Sequence, residues 1–221
     1  MANKVYIGVG HGGSDPGAVA GGFKEKDVNL AVALACRDEL VRHGVPVKIS
    51  RETDAGVHLE QRIKECNAYN PTLALDIHHN AGGGDGAEVF YHYKGGKSKT
   101  LAKNVLSAIV QETGQNSRGL KVKLNDQGKD YFGFIRQTVP PAVIVECAFL
   151  DNKKDVQIID TAAEQKAMGE AIAKGVLKTL GVKWKSPEKY TVTVSGLDKA
   201  EADELVASLK KDGYTVAAKK A

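Results

Sequence analysis

Cysteine is scarce in this chain of 221 residues: there are three, Cys36, Cys66 and Cys147, and no two form a CxxC pair. An odd number, set in stretches that read as helix or strand, argues against a disulfide framework and points to reduced thiols. Long hydrophobic runs are missing as well. No stretch approaches the roughly 20 apolar residues of a membrane span, so no transmembrane segment is expected. The opening "MANKVYIGVG" lacks the basic start and apolar run of a signal peptide, and the expectation is a chain made and folded in the cytoplasm. Aromatic residues make up 6% and the net charge is only +4, with the lysines scattered. Without a basic helix or an aromatic-basic platform, nucleic acid is not expected as a partner.

The rest is ordinary globular composition, 42% hydrophobic and 26% charged, enough for one main domain and a small second one. Apolar β-branched runs alternate with helical patterns: "KVYIGV", "EKDVNLAVALACRDELVRH", "VPVKIS", "VHLEQRIKECNAY", "TLALDIHH", "AEVFYHY", "KTLAKNVLSAIVQETG", "PAVIVECAFL" and "AAEQKAMGEAIAKGVLKTL", the last ending at Gly181. This rhythm predicts an α/β fold, a mostly parallel twisted sheet with helices on both faces, over residues 1–182. A polar linker follows at 183–189. Residues 190–221 then read as a small βαβ unit, "YTVTVSG", a helix capped by Asp198 with Glu201 three residues on, and "YTVAAKK".

Near the N-terminus "IGVGHGGSDPGA" fits two incompatible templates. Gly8, Gly10 and Gly13 match G-x-G-x-x-G, the entry to a dinucleotide-binding loop and hence to an oxidoreductase. That fingerprint needs a helix to open at the third glycine and an acidic residue about 20 positions later. Here Pro16 and further glycines postpone the helix to about Glu25, and Glu52 falls too late. The stretch reads better as a bend that presents His11 at the end of the first strand.

Other polar groups fall at the same sheet edge, where ligands bind in open α/β sheets. "TLALDIHH" ends in His78 and His79, "PAVIVECAF" carries Glu146, and Glu25 opens the first helix. Side chains alternate across a strand, so only one of His78 and His79 can join His11. His79 reads better as a hydrogen-bonded histidine. Two imidazoles and one or two carboxylates converging on a cleft suit a zinc ion with an open coordination position. Glu146 follows Ala142, Val143, Ile144 and Val145, where burial of its charge is costly without a nearby cation. Arg51 and Arg62 read as braces of the sheet edge. Asn80 and Asn152 flank the cleft and suit either substrate binding or a turn.

In order and spacing, "GHGGSDPGA", the glutamate of "FKEKDVNLA", "SRETD", "DIHHNA", "GAEVFYH", "RGLKV" and "PPAVIVECAFLDNKKD" resemble the zinc-dependent N-acetylmuramoyl-L-alanine amidases of the Amidase_3 type, across nearly all of residues 1–180. The resemblance implies a peptidoglycan hydrolase of endolysin or mother-cell lysin type, with one Zn2+ held by His11, Glu25 and His78 and with Glu146 as the catalytic carboxylate. Such an enzyme would reach the bacterial wall after a membrane lesion or lysis. The chain departs from the family pattern at Gly8, Val9, Asp76 and Cys147, none of them a ligand. A wall-binding protein that has lost catalysis is the other reading, against which the intact His11, Glu25, His78 and Glu146 stand. The short "GGGDGAEVFYH" leaves no room for a regulatory helix between strands, so an open, constitutively active site is expected.

Residues 188–221 resemble half of a SPOR-like, ferredoxin-type wall-binding module. About 34 residues bury too little apolar surface to stand alone. A homodimer pairing two βαβ units, or docking of the unit on its own catalytic domain, would cover the exposed faces.

Overall fold

The computed structural model describes residues 3–186, 193–211 and 216. In chain order, β1 (Val5–Val9) leads through a small hairpin, β2 (Val19–Ala20) and β3 (Phe23–Lys24), into α1 (Glu25–Arg42) and β4 (Val47–Ile49). Then come α2 (Leu59–Tyr69), β5 (Leu73–Asn80), β6 (Ala87–Tyr91), α3 (Gly96–Thr113), β7 (Ser117–Lys121) and α4 (Gly133–Gln137). β8 (Ala142–Phe149), α5 (Lys153–Val156), α6 (Ala162–Leu180) and α7 (Lys199–Lys211) complete the order.

Six strands form one sheet in the order β4-β1-β5-β8-β6-β7. All neighbours are parallel except β6 and β8. Residues 81–86, which join β5 to β6, are too few for a helical crossover, so β6 returns antiparallel on the far side of β8. The predicted mostly parallel α/β sheet is present, with this one reversed pair.

Strand alternation sorts the side chains into two layers. Val5, Ile7, Val9, Leu73, Leu75, Ile77, Val143, Val145 and Cys147 pack with apolar residues of α1, α3 and α6 in the main core. Tyr6, Ala74 and Ala142 face the other way, onto Ile63 and Cys66 of α2 and Phe134 of α4. The even-numbered positions of β5, and those of β8 as far as Glu146, therefore belong to the layer that two short helices cover; beyond Glu146 the register shifts and Ala148 returns to the main core. Asp76, His78 and Glu146 are on that side, near the carboxyl ends of their strands.

α6 starts and stops where its sequence says. Thr161 and Glu164 form a capping box, and Gly181 ends the helix in the left-handed region at φ 72°. Thr161→Ala is expected to destabilise the fold by about 1 kcal/mol, read as a lowered midpoint in denaturant unfolding.

The chain divides into two compact units, Met1–Trp184 and Lys185–Ala221. Trp184, assigned by sequence to the linker, belongs to the first unit. Its ring lies 4.7 Å from that of His43, with Arg42 at 5.3 Å and Lys174 at 5.0 Å over its face. In the second unit Asp198 caps α7 as expected: its Oδ1 accepts from the Glu201 amide at 3.0 Å, and its own amide donates to Glu201 Oε2 at 2.9 Å. Residues 193–196 are not in a strand. The rest of the expected strand at 190–196, and all of that at 214–220 but Val216, lie outside the described residues, and with them most of the strand faces on which the dimer expectation rests; of its helix face, Ala202, Leu205, Val206 and Leu209 are described and half-buried. No described helix is long and apolar enough to cross a membrane.

Candidate metal centre

The two opening glycines of the N-terminal loop are explained by the neighbouring strand. Gly8 sits opposite Asp76 in the β1–β5 register. A Cβ there would lie 2.3 Å from Asp76 Oδ1, and one on Gly10 would lie 2.2 Å from the His78 ring. Glycine is needed to leave space for two polar side chains of β5, not to approach a pyrophosphate. Beyond Gly10 the chain turns through His11 at φ 61°, the left-handed region that non-glycine residues seldom occupy. Arg51 holds this bend, donating to the carbonyls of Gly10 at 3.2 Å, Lys26 at 2.7 Å and Thr53 at 3.1 Å.

The bend aims His11 at the first residue of α1. His11 Nε2 is 3.1 Å from Glu25 Oε2, and its Nδ1 is 2.8 Å from Asp15 Oδ2. From β5, His78 Nδ1 reaches Glu25 Oε1 at 3.0 Å. The carboxylate is fixed further by donors from the Ala18 amide at 3.0 Å, the His79 amide at 3.2 Å and Asn29 Nδ2 at 3.3 Å. One donor atom each from His11, Glu25 and His78 lies within 4.8 Å of the others. Ligands of a tetrahedral ion with bonds of ~2.0–2.1 Å stand about 3.4 Å apart, so a small closure of this triangle would seat one. Two imidazoles and a carboxylate are a donor set for a first-row transition metal.

Charge is tightly coupled here. Burial alone would raise the Glu25 carboxyl, but hydrogen bonds from His11 and His78 outweigh it and hold the group well below the usual carboxylate range. Burial opposes a charge on His78, yet Asp76 and Glu25 together push the ring up to about 10. The carboxylates thus draw positive charge to this point.

Glu146 pairs with His78 in the β5–β8 register. Its Oε2 is buried with no hydrogen-bond partner among the described residues. Burial pushes this carboxyl up to about 7, against the pull of His78 and with added repulsion from Glu25, Glu88 and Asp76. Arg62 Nη1 donates to Asp76 Oδ1 at 2.6 Å, and Asp76 Oδ2 lies 3.5 Å from His78 Nε2. Arg62 thereby orients His78 through Asp76.

His79 points into the opposite layer. Its Nδ1 is 2.7 Å from Asn29 Oδ1, it is 2% exposed, and burial holds its ring down to about 4. Asn80 Nδ2 donates to Glu88 Oε1 at 3.0 Å. Asn152 caps α5 through its Oδ1 and donates from Nδ2 to the Gly84 carbonyl at 2.9 Å, so its amide holds a turn.

Two residues had no role in the sequence reading. Glu88, 6% exposed, lies on β6 opposite Glu146, and Arg118 Nε donates to its Oε2 at 3.0 Å. A charged residue at the inward-alternating position of "AEVFY" was the signal for Glu88. Arg118 stands in "RGLKV", one of the stretches that carry the resemblance, but nothing local told where its side chain goes, because a break in strand register places it.

The family description "N-acetylmuramoyl-L-alanine amidase", Amidase_3, matches residues 5–178. The N-acetylmuramoyl-L-alanine amidase CwlM of Bacillus licheniformis is 32% identical over 216 residues, covering 96% of this chain and 82% of its own length. The endolysin of Bacillus phage SPP1 is 31% identical over 209 residues, with 90% and 75% covered. Among solved structures, the catalytic domain of CwlV, an N-acetylmuramoyl-L-alanine amidase from Bacillus (Paenibacillus) polymyxa var. colistinus, superposes with a TM-score of 0.74. It shares 30% identity over 82% of this chain and 99% of that one. The match across the whole catalytic unit, with the His11, Glu25 and His78 cluster at its sheet edge, shows that the chain belongs to the N-acetylmuramoyl-L-alanine amidase family of peptidoglycan hydrolases.

Proposed function

We propose that the chain hydrolyses the amide between the lactyl group of N-acetylmuramic acid and the L-alanine of the stem peptide, with a zinc ion held by His11, Glu25 and His78. The observation that carries this reading is the adjacency of three convergent donors to a buried carboxylate oxygen without a partner, Glu146 Oε2. When bound there, zinc supplies a Lewis acid that polarises the amide carbonyl and acidifies a water.

The protein's own groups do the rest. Glu146 takes the proton of the attacking water and returns it to the departing alanine nitrogen, a shuttle suited to a carboxyl whose affinity for protons is raised toward neutrality. Asp76 and Asp15 hold His78 and His11 by the ring nitrogens that do not face Glu25, the usual support for an imidazole that would ligate a metal. His11 and His78 keep 26% and 17% side-chain exposure, which leaves the edge open to a polymeric substrate. The link between β5 and β6 is only residues 81–86 and carries no helix, in keeping with a constitutively open site.

A dinucleotide-binding oxidoreductase is disfavoured by the packing of Gly8 and Gly10 against Asp76 and His78. A binding protein without catalysis has no use for the strained bend at His11 or for the orphaned Glu146. Mass spectrometry of purified sacculi digested by the protein is expected to show free L-alanine amino termini and intact, peptide-free glycan. Digestion should stop on exhaustive chelation and return with zinc. New reducing ends, or full activity after chelation, would overturn the assignment.

A further inference from the structure

The register of the sheet breaks twice beside the site. On β8, Glu146 pairs with His78 but Phe149 pairs with Asn80, so the strand carries one extra residue. On β7, Ser117 pairs with Ala87 but Gly119 pairs with Glu88, so Arg118 is the extra residue of a second bulge. Bulges of this kind turn a side chain away from the direction that regular alternation would give it. Gly119, at φ 87°, supplies the left-handed backbone that this one requires.

The turned side chain is held firmly. Arg118 Nε donates to Glu88 Oε2 at 3.0 Å, and the guanidinium carbon stands 4.8 Å from the centre of the Phe149 ring. Glu88 is itself fixed by Asn80 at 3.0 Å. One edge of the planar fork is therefore engaged. The terminal Nη1 and Nη2 groups have no protein partner among the described residues, and the side chain is 33% exposed. An arginine fixed on one edge and stacked on an aromatic ring, with its other donors open, is prepared for a planar anion such as a carboxylate.

Its position selects which carboxylate. Glu146, Glu88 and Gly119 stand opposite one another across β8, β6 and β7, which puts the backbone at Arg118 about 10 Å from that at Glu146. A stem peptide whose first amide nitrogen lies at Glu146 and which runs across these strands places its second residue, ~3.5 Å further along, within reach of a long side chain on β7. In peptidoglycan that residue is a D-glutamate linked onward through its γ-carboxyl, and its α-carboxyl is either free or amidated. We propose that Arg118 binds the free α-carboxylate of this second stem residue and so makes the enzyme prefer unamidated walls. The proposal rests on the amidase reading above and adds to it the chemical class that the site selects.

The test compares two soluble disaccharide dipeptides that differ only in this group, the free acid and its α-amide, by kcat/KM with the zinc-loaded full chain. The wild type is expected to favour the acid by about tenfold, the size of one charge-assisted hydrogen bond. Arg118→Gln should bring the ratio close to one, and Arg118→Lys should restore part of it. A wild type that does not discriminate would overturn the proposal without reliance on any variant. So would an Arg118→Gln protein that loses activity but keeps the tenfold ratio, since that is what a purely structural role through Glu88 produces. Cleavage of neither compound at the muramoyl–alanine bond would instead sink the amidase reading, and this inference with it.

Discussion

Glu146→Gln is expected to lower turnover on peptidoglycan by about 10²- to 10⁴-fold, the range for loss of a positioned general acid-base group, while leaving the fold and the zinc content intact. Glutamine matches the shape of the side chain and removes only its capacity to carry a proton. Oε2 has no protein partner to lose, so the amide is accommodated without breaking a hydrogen bond of the described residues. Relief of a buried charge beside Glu25, Glu88 and Asp76 should leave stability unchanged or slightly raised. The pH profile gives a second readout. As proton acceptor Glu146 must be ionised, so kcat/KM should fall about tenfold per pH unit on the acid side of its pKa. Burial sets that group at about 7 in the metal-free protein, and a bound cation moves the limb to lower pH. In Glu146→Gln the limb belonging to this carboxyl should vanish. Near-normal hydrolysis by that variant would remove Glu146 from the mechanism.

Zinc content should separate two adjacent histidines. His78→Ala is expected to lose zinc by more than the roughly 10- to 100-fold that removal of an outer-layer partner costs, and activity with it. His79→Ala should retain one zinc per chain, because its ring packs on Asn29 in the opposite layer and never meets the donor triangle. Equal loss in both would defeat the assignment. Proton release during zinc uptake tests the same site. In the metal-free protein Asp76 and Glu25 push His78 up to about 10, so at neutral pH this ring carries a proton that must leave before it can ligate. The sign follows: zinc affinity weakens as pH falls, about tenfold per unit for each proton displaced. Calorimetry in buffers of different ionisation enthalpy counts those protons, and uptake that releases none would show that Asp76 and Glu25 do not hold a charge on His78.

The sequence by itself determined the alternation of strands and helices and the start and stop of α6 at Thr161 and Gly181. It also determined that His11, Glu25, one of two histidines and Glu146 lie at one edge of the sheet. Each of these follows from local chemistry, whether the period of apolar residues, a capping side chain or the parity of side chains along a strand. That parity separates His78 from His79 before any neighbour is known.

Only the tertiary structure decided the rest. Nothing within β6 itself marks it as the strand that reverses, because period-two alternation is the same in either direction. Which strand lies beside which is settled by a short connection and by packing between distant segments. The glycines at 8 and 10 fit a nucleotide-loop template as well as a bend because their reason for being small lies across the sheet, in Asp76 and His78. Trp184 read as linker because its partners, Arg42, His43 and Lys174, come from α1 and α6. The placement of Arg118 stayed hidden for the same reason. A bulge is a property of two strands in register, and a single strand's sequence carries no record of the residue opposite.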